Sequence, residues 1–109
     1  SRFSKIGGEM VPHIKVEDKL HELAGATEQL FAVTAIPDET KGERLIVLHT
    51  LGVDKLSGIL EKLGGSDLPP LWRPRADAFV PMESLPYLGA GKLDLRRLRE
   101  LALAAAQKG

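Results

Sequence analysis

Two strongly apolar segments, LFAVTAI at residues 30–36 and RLIVLHTL at residues 44–51, constrain this chain more than any other feature, because only PDETKGE separates them. Short apolar runs rich in Val and Ile read as strands, and Pro37, Asp38 and Gly42 suit a connecting turn. An antiparallel pair follows, covered by helices on at least one face. After Pro12, Val16, Leu20 and Leu23 recur at i, i+4 and i+7, which predicts a helix ending at Gly25, with Lys15, Glu17, Asp18 and Glu22 on a solvated face. Asp54 is placed to cap a second helix, whose stripe of Leu56, Ile59, Leu60 and Leu63 stops at Gly64–Gly65. The prolines of DLPPLWRPR exclude a regular helix there, and Trp72 is expected to pack against the core from this segment. DAFVP offers a third core strand, and Leu95, Leu98, Leu101 and Ala102 mark one face of a last helix. At the other end, RFSKIGGEMV reads as two short extended pieces around Gly7–Gly8. The sum is a small α/β (α+β) domain: a three-stranded sheet flanked by helices, with a separate N-terminal β-hairpin.

A chain of 109 residues makes one domain with a single core and no deep catalytic pocket of its own. Formal net charge is zero with 28% charged residues, so no field for nucleic acid is indicated and any electrostatic partner site is local. The absence of cysteine excludes a disulfide scaffold, a thiol nucleophile and thiolate zinc sites. His13, His21 and His49 have no metal-ligand spacing, so no metal site is expected. No apolar run reaches the length of a membrane span. The start at Ser1, without methionine and close to a dense motif, suggests a piece of a longer protein.

SLPYLGAGKLDLRRLRE, residues 84–100, places Lys92 in a glycine loop before an Arg-rich helical pattern. A nucleotide P-loop does not fit, because Pro86 stands where its first glycine belongs and Leu93 where its hydroxyl residue belongs. A dinucleotide fingerprint fails as well, with Asp94 in place of the third glycine. Taken alone, a loop lysine after glycine is a solvated side chain, and Gly7–Gly8 a structural turn. Arg96, Arg97 and Arg99 read as a solvated helix face, or as a basic patch that steers an acidic partner; Arg73 and Arg75 share that ambiguity.

Three stretches carry a resemblance. KIGGEMVPHIKVEDKL, AIPDETKGE and LWRPRADAFVPMESLPYLGAGKL resemble, in this order, the C-terminal domain of the adenylate-forming superfamily of acyl-CoA synthetases, peptide-synthetase adenylation domains and luciferase. Lys5, Gly8, Val11 and Glu17 fall on one family motif, with Pro12 one place early. Pro86, Gly91 and Lys92 match a later one. Leu95 departs from it, standing where the family often has a basic residue. SRFSKIGGEMVPH and GAGKLDLRRL are most similar to bacterial long-chain acyl-[acyl carrier protein] synthetases, often fused behind a 2-acylglycerophosphoethanolamine acyltransferase.

The resemblance implies a catalytic cap for an N-terminal adenylation domain of the same protein, inactive by itself. Joining a carboxylate to the α-phosphate of ATP crowds negative charge that a preplaced cation must neutralise, and the resemblance assigns this to Lys92. Gly89, Ala90 and Gly91 would let its loop approach closely. For the second half-reaction the domain would rotate about a hinge at Ser1 and present Gly7, Gly8 and Glu9 to a phosphopantetheine thiol. The implied partners are a fatty acid and acyl carrier protein, or coenzyme A in its place, with Arg96, Arg97 and Arg99 as the candidate carrier-docking face. ATP and Mg2+ would serve the full-length enzyme, with none held by this domain alone. The implied location is cytoplasmic, including the cytoplasmic side of an inner-membrane-associated bacterial protein. Two alternatives stand beside this reading: the cap of an acyl-CoA synthetase, and a carrier-binding module without chemistry.

Overall fold

The computed structural model describes residues 2–108 and runs β1 (Phe3–Ile6), β2 (Glu9–Pro12), α1 (His13–Ala24), β3 (Phe31–Asp38), β4 (Gly42–His49), α2 (Val53–Gly64), β5 (Phe79–Pro81) and α3 (Leu95–Lys108). Two single 3-10 turns, Pro70–Trp72 and Ala76–Ala78, precede β5. β1 and β2 form the separate hairpin, in antiparallel register from Phe3 opposite Pro12 to Ile6 opposite Glu9. The apolar segments pair antiparallel as β3 and β4, Phe31 opposite His49 and Asp38 opposite Gly42. β5 lies beside β4 and parallel to it, so the three-stranded sheet is mixed. That follows from the connection: the chain between β4 and β5 crosses over through α2 and the proline segment, a route that returns a strand in the same direction.

Side-chain alternation sends β3 and β4 to two cores. Phe31, Val33, Ala35, Leu45 and Val47 face α1 and α2, together with Ile6 and Val11 of the hairpin. Ala32, Ile36, Ile46 and Leu48 face α3, together with Leu85 and, half-buried, Leu93. Helices therefore cover both faces, which explains why residues 31–36 and 45–48, Thr34 apart, are apolar on both faces.

Three expectations need correction. The core is not single, because the sheet divides it in two. Asp54 does not cap α2: the N-cap is Gly52, without a side-chain bond, and Asp54 lies in the first turn, where a carboxylate still complements the helix dipole. Glu17 is not solvated. It is 6% exposed, and its carboxylate accepts from the Arg2 guanidinium and, at 2.7 Å, from the Val33 N–H. The charge is tolerated inside because both oxygens are met by donors. Arg2 also donates to the Val33 carbonyl at 2.9 Å, while its own carbonyl accepts the His13 N–H at 2.9 Å. One carboxylate thus joins the start of the hairpin, α1 and the sheet. Glu17→Ala should destabilise the domain by about 3 kcal/mol, because it strands a guanidinium and a strand N–H; urea unfolding of the two proteins measures the difference.

The histidines have structural surroundings. His21 Nε2 accepts from the Leu30 and Phe31 N–H groups at 2.9 and 3.1 Å, holding the end of α1 to β3. His13 shares a 2.5 Å hydrogen bond with buried Ser4 of β1; burial, with Arg2 close by, pushes its pKa down to about 4, against a smaller upward pull from Glu43. His49 is fully buried between Phe31 and Phe79, neither ring nitrogen having a partner at hydrogen-bond distance among the described residues; burial lowers its pKa, offset only in part by the Leu51 backbone. Both histidines are neutral when folded, so below their ordinary value near 6.5 the unfolded chain takes up protons that the folded chain refuses. Stability should be complete above that pH. It should fall between about 6.5 and 4 for His13, by at most about 1.4 kcal/mol per pH unit for each histidine. Urea midpoints across this range provide the check.

Candidate functional site

The lysine loop closes on itself. Tyr87 and Leu93 form an antiparallel bridge, Asp94 N–H donates to the Pro86 carbonyl at 3.0 Å, and Leu88 N–H donates to the Lys92 carbonyl at 2.7 Å. Gly91 N–H completes a turn to the Leu88 carbonyl at 3.0 Å, and its φ of +81° is open to glycine at little cost. Leu88 to Lys92 is thus a three-residue hairpin loop whose last residue is left-handed. Beyond it, Asp94 caps α3, accepting the Arg97 N–H at 3.0 Å, while buried Leu98 and Ala102 seat that helix on the sheet. Lys92 therefore has a fixed backbone and an exposed side chain. It is a cation on a flexible four-carbon stem, carried by a rigid mount.

The second candidate turn sits on the other core. Gly7 and Gly8 have φ of 57° and 87°, the two-residue turn with both φ positive that suits a twisted hairpin. Gly7 N–H donates to the Lys41 carbonyl and Lys5 N–H to the Glu43 carboxylate, both at 2.9 Å. On its other side, Glu9 accepts the Trp72 indole N–H at 3.0 Å. A Cβ at Gly8 would meet no heavy atom of the described residues within 4 Å, so the tip opens onto space that they leave free. Beside it lies a pocket of about 290 Å3, with Ile6, Leu45 and Leu71 as apolar wall and Lys41, Arg44 and Arg75 as cations. Asp38 stands 3.7 Å from Arg44 and Asp77 3.3 Å from Arg75, leaving Lys41 without a carboxylate partner among the described residues.

The structure separates the arginines that the sequence groups. Arg96 is 93% exposed at its side chain and 3.9 Å from Glu100; Arg97 donates to Glu100 at 3.3 Å. Arg99 instead donates to the Ala35 carbonyl at 2.8 Å, fastening α3 to β3. Arg73 is fastened too, donating to the carbonyls of Leu68, Gly64 and Ser66 at 2.9, 3.1 and 3.0 Å. Trp72 is half-buried against the first core, where the sequence puts it. The hinge position, Ser1, lies outside the described residues. Among the described residues, no three His, Asp or Glu side chains cluster so as to hold a metal ion. No helix of the described residues is long and apolar enough to cross a membrane. Sequence reasoning missed Arg2, Trp72–Glu9 and Arg73 as fasteners, since polar contacts between distant segments leave no periodic signal.

No protein-family model matches the sequence. Among solved structures, a fatty acyl CoA synthetase of Mycobacterium tuberculosis superposes with a TM-score of 0.81 over 95% of this chain, at 25% identity. The fold is that of the C-terminal domain of adenylate-forming enzymes. MbtA of Mycobacterium smegmatis matches 88% of the chain with a TM-score of 0.70 and 28% identity. The anthranilate CoA ligase AuaEII, solved with anthranoyl-AMP, matches 96% with a TM-score of 0.76 at 24% identity. The chain spans only about a fifth of each enzyme: 20%, 18% and 21% of their respective lengths.

Within this adenylate-forming fold the two glycines of the lysine loop are not equivalent. Gly91→Ala forces a side chain into left-handed backbone, at a cost of about 1 kcal/mol, whereas Gly89 has no such requirement. Amide exchange at Leu88 and Asp94, whose N–H groups close the loop, should accelerate about fivefold in Gly91→Ala and stay unchanged in Gly89→Ala.

Proposed function

We propose that this chain is the mobile C-terminal domain of an ATP-dependent, AMP-forming fatty-acid ligase, which helps form an acyl adenylate and then an acyl thioester. The observation that carries this reading is the placement of the two prepared turns. The Lys92 loop is rooted in the core on one face of the sheet through Leu85 and Leu93, and the Gly7–Gly8 hairpin in the core on the other face through Ile6 and Val11. A rigid rotation of such a body presents one turn or the other to a single active site.

Each turn suits one half-reaction. In the first, a fatty-acid carboxylate oxygen attacks the α-phosphorus and pyrophosphate leaves; bound ATP with Mg2+ supplies the electrophile. The ammonium of Lys92 donates to the oxygens on which charge accumulates, and its fixed backbone lowers the entropy lost in placing it. In the second, a thiolate attacks the acyl carbonyl and AMP departs. The open space at Gly8 admits a pantetheine arm, and the adjoining pocket with Lys41 suits the phosphate that such an arm carries.

Acyl carrier protein is the acceptor we favour, on the sequence features around Gly8 and Lys92; exposed Arg96 and Arg97 then face its acidic surface, while Arg99 keeps α3 in place. Coenzyme A is the second reading, supported by the fatty acyl CoA synthetase and the CoA ligase among the similar structures. The working location in either case is the cytoplasm, where both thiols and ATP occur together.

Both half-reactions measured on the full-length protein test the reading. Lys92→Ala should slow adenylation by about 10²–10³, as loss of one transition-state donor does, and leave thiol transfer from presynthesised acyl adenylate near normal. Gly8→Asn should do the reverse, because asparagine tolerates left-handed backbone and keeps the turn, yet fills the open space; thiol transfer should fall about tenfold. Offering carrier protein and coenzyme A with one fatty acid identifies the acceptor. Equal slowing of both steps in both variants overturns the alternation.

A further inference from the structure

The tip of the β1–β2 hairpin is closed by the pairing of Ile6 with Glu9 but has little packed around it. Among the described residues, nothing lies within 4 Å of the place a Cβ would take at Gly8, and at Gly7 the only such neighbours are the methyl groups of Leu71, at 3.9 and 4.0 Å. What fixes the tip must come from its flanks. On one flank stand the backbone bond from Gly7 to Lys41 and the bond from Lys5 N–H to Glu43. On the other, the sole hydrogen bond among the described residues is the one from the Trp72 indole to Glu9, between residues 63 apart in sequence.

Trp72 is itself unusually well placed to serve as an anchor. It ends the 3-10 turn Pro70–Trp72, its own N–H bonded to the Pro69 carbonyl at 2.9 Å, in a segment where Pro69, Pro70 and Pro74 restrict the backbone. Its ring leans on the first core. The next residue, Arg73, ties the segment to the end of α2 through the Gly64 carbonyl and to the connection that follows through the Ser66 and Leu68 carbonyls. A continuous path of hydrogen bonds and chain therefore runs from the end of α2 through Arg73 and Trp72 to Glu9 and the turn. A phenylalanine in this place would fill the same apolar space and lack the one donor that reaches Glu9.

We propose that Trp72 is a positioning residue for the thiol-accepting step, holding the Gly7–Gly8 turn in register through its indole N–H to Glu9. This rests on the ligase reading above and adds to it a residue that touches neither substrate. Because the bond is exposed, its loss leaves the fold intact; the tip then samples positions that obstruct or misalign the pantetheine arm. The effect belongs to acceptor binding and not to adenylation, which uses the loop on the opposite face.

The test compares wild type, Trp72→Phe, Glu9→Ala and the double variant of the full-length protein, with acyl carrier protein and coenzyme A each as acceptor. Trp72→Phe should raise the acceptor KM about three- to tenfold, with kcat and the adenylation rate within about twofold, the loss expected for one exposed hydrogen bond. Glu9→Ala should raise the KM similarly, and Trp72→Phe should add nothing in that background. An unchanged acceptor KM in Trp72→Phe, additive effects in the double variant, or equal slowing of adenylation overturns the inference while leaving the ligase reading standing. A wild-type protein that forms no acyl adenylate from any fatty acid overturns the ligase reading, and this inference falls with it.

Discussion

A single buried carboxylate holds the parts of this domain in relation to one another. Glu17 joins α1 to Arg2 before the hairpin and to the Val33 N–H in the middle of β3, and is the buried charge at which these three segments meet. Hydrophobic burial is non-directional and would hold these segments close without fixing their angles. A charge inside the protein is costly unless its oxygens are met, and this requirement admits few geometries. The hairpin is therefore set against the sheet by an interaction that tolerates little rotation. The direction in which the Gly7–Gly8 turn faces depends on that setting.

From this frame the two candidate turns inherit different supports. The glycine hairpin leans on the core shared by α1, α2 and one face of the sheet; the lysine loop leans on α3 and the opposite face. The alternation of β3 and β4 thus separates the two candidate turns as well as two cores. A sheet with one wet face could not do this, because the loop before α3 would have no apolar surface to close upon. The stiffness of both mounts makes rotation of the whole body, and not local flexing, the motion that suits the alternating reading.

The polar groups show how a small domain divides its labour. Arg73 and Arg99 end their reach on backbone carbonyls and are structural; Arg96 and Arg97 stay at the surface. Four arginines of similar sequence character thus fall into two kinds, which only their neighbours distinguish. The histidines divide likewise: His21 satisfies two strand N–H groups, whereas His49 fills an aromatic slot with its nitrogens unmet.

The sequence by itself determined whatever depends on local pattern. Val16 and Leu20 at helical spacing put α1 against the core, the runs 30–36 and 44–51 became β3 and β4, and DAFVP supplied β5. Pro86, Gly91 and Lys92 marked the lysine loop, and Gly7–Gly8 the hairpin turn, because backbone sterics act within a few residues. Only the tertiary structure decided which polar side chains are buried and which pairs of distant segments they join. Glu17 falls on the polar stripe of α1 by spacing alone, yet it lies inside because Arg2 and Val33 arrive there. Asp54 has the chemistry of a cap, but the chain enters α2 two residues earlier, at Gly52. Trp72 reads as core, and its indole N–H finds Glu9 only once the proline segment has folded back over the hairpin. Such contacts depend on where chain segments meet in space, and single hydrogen bonds between them impose no period on the sequence.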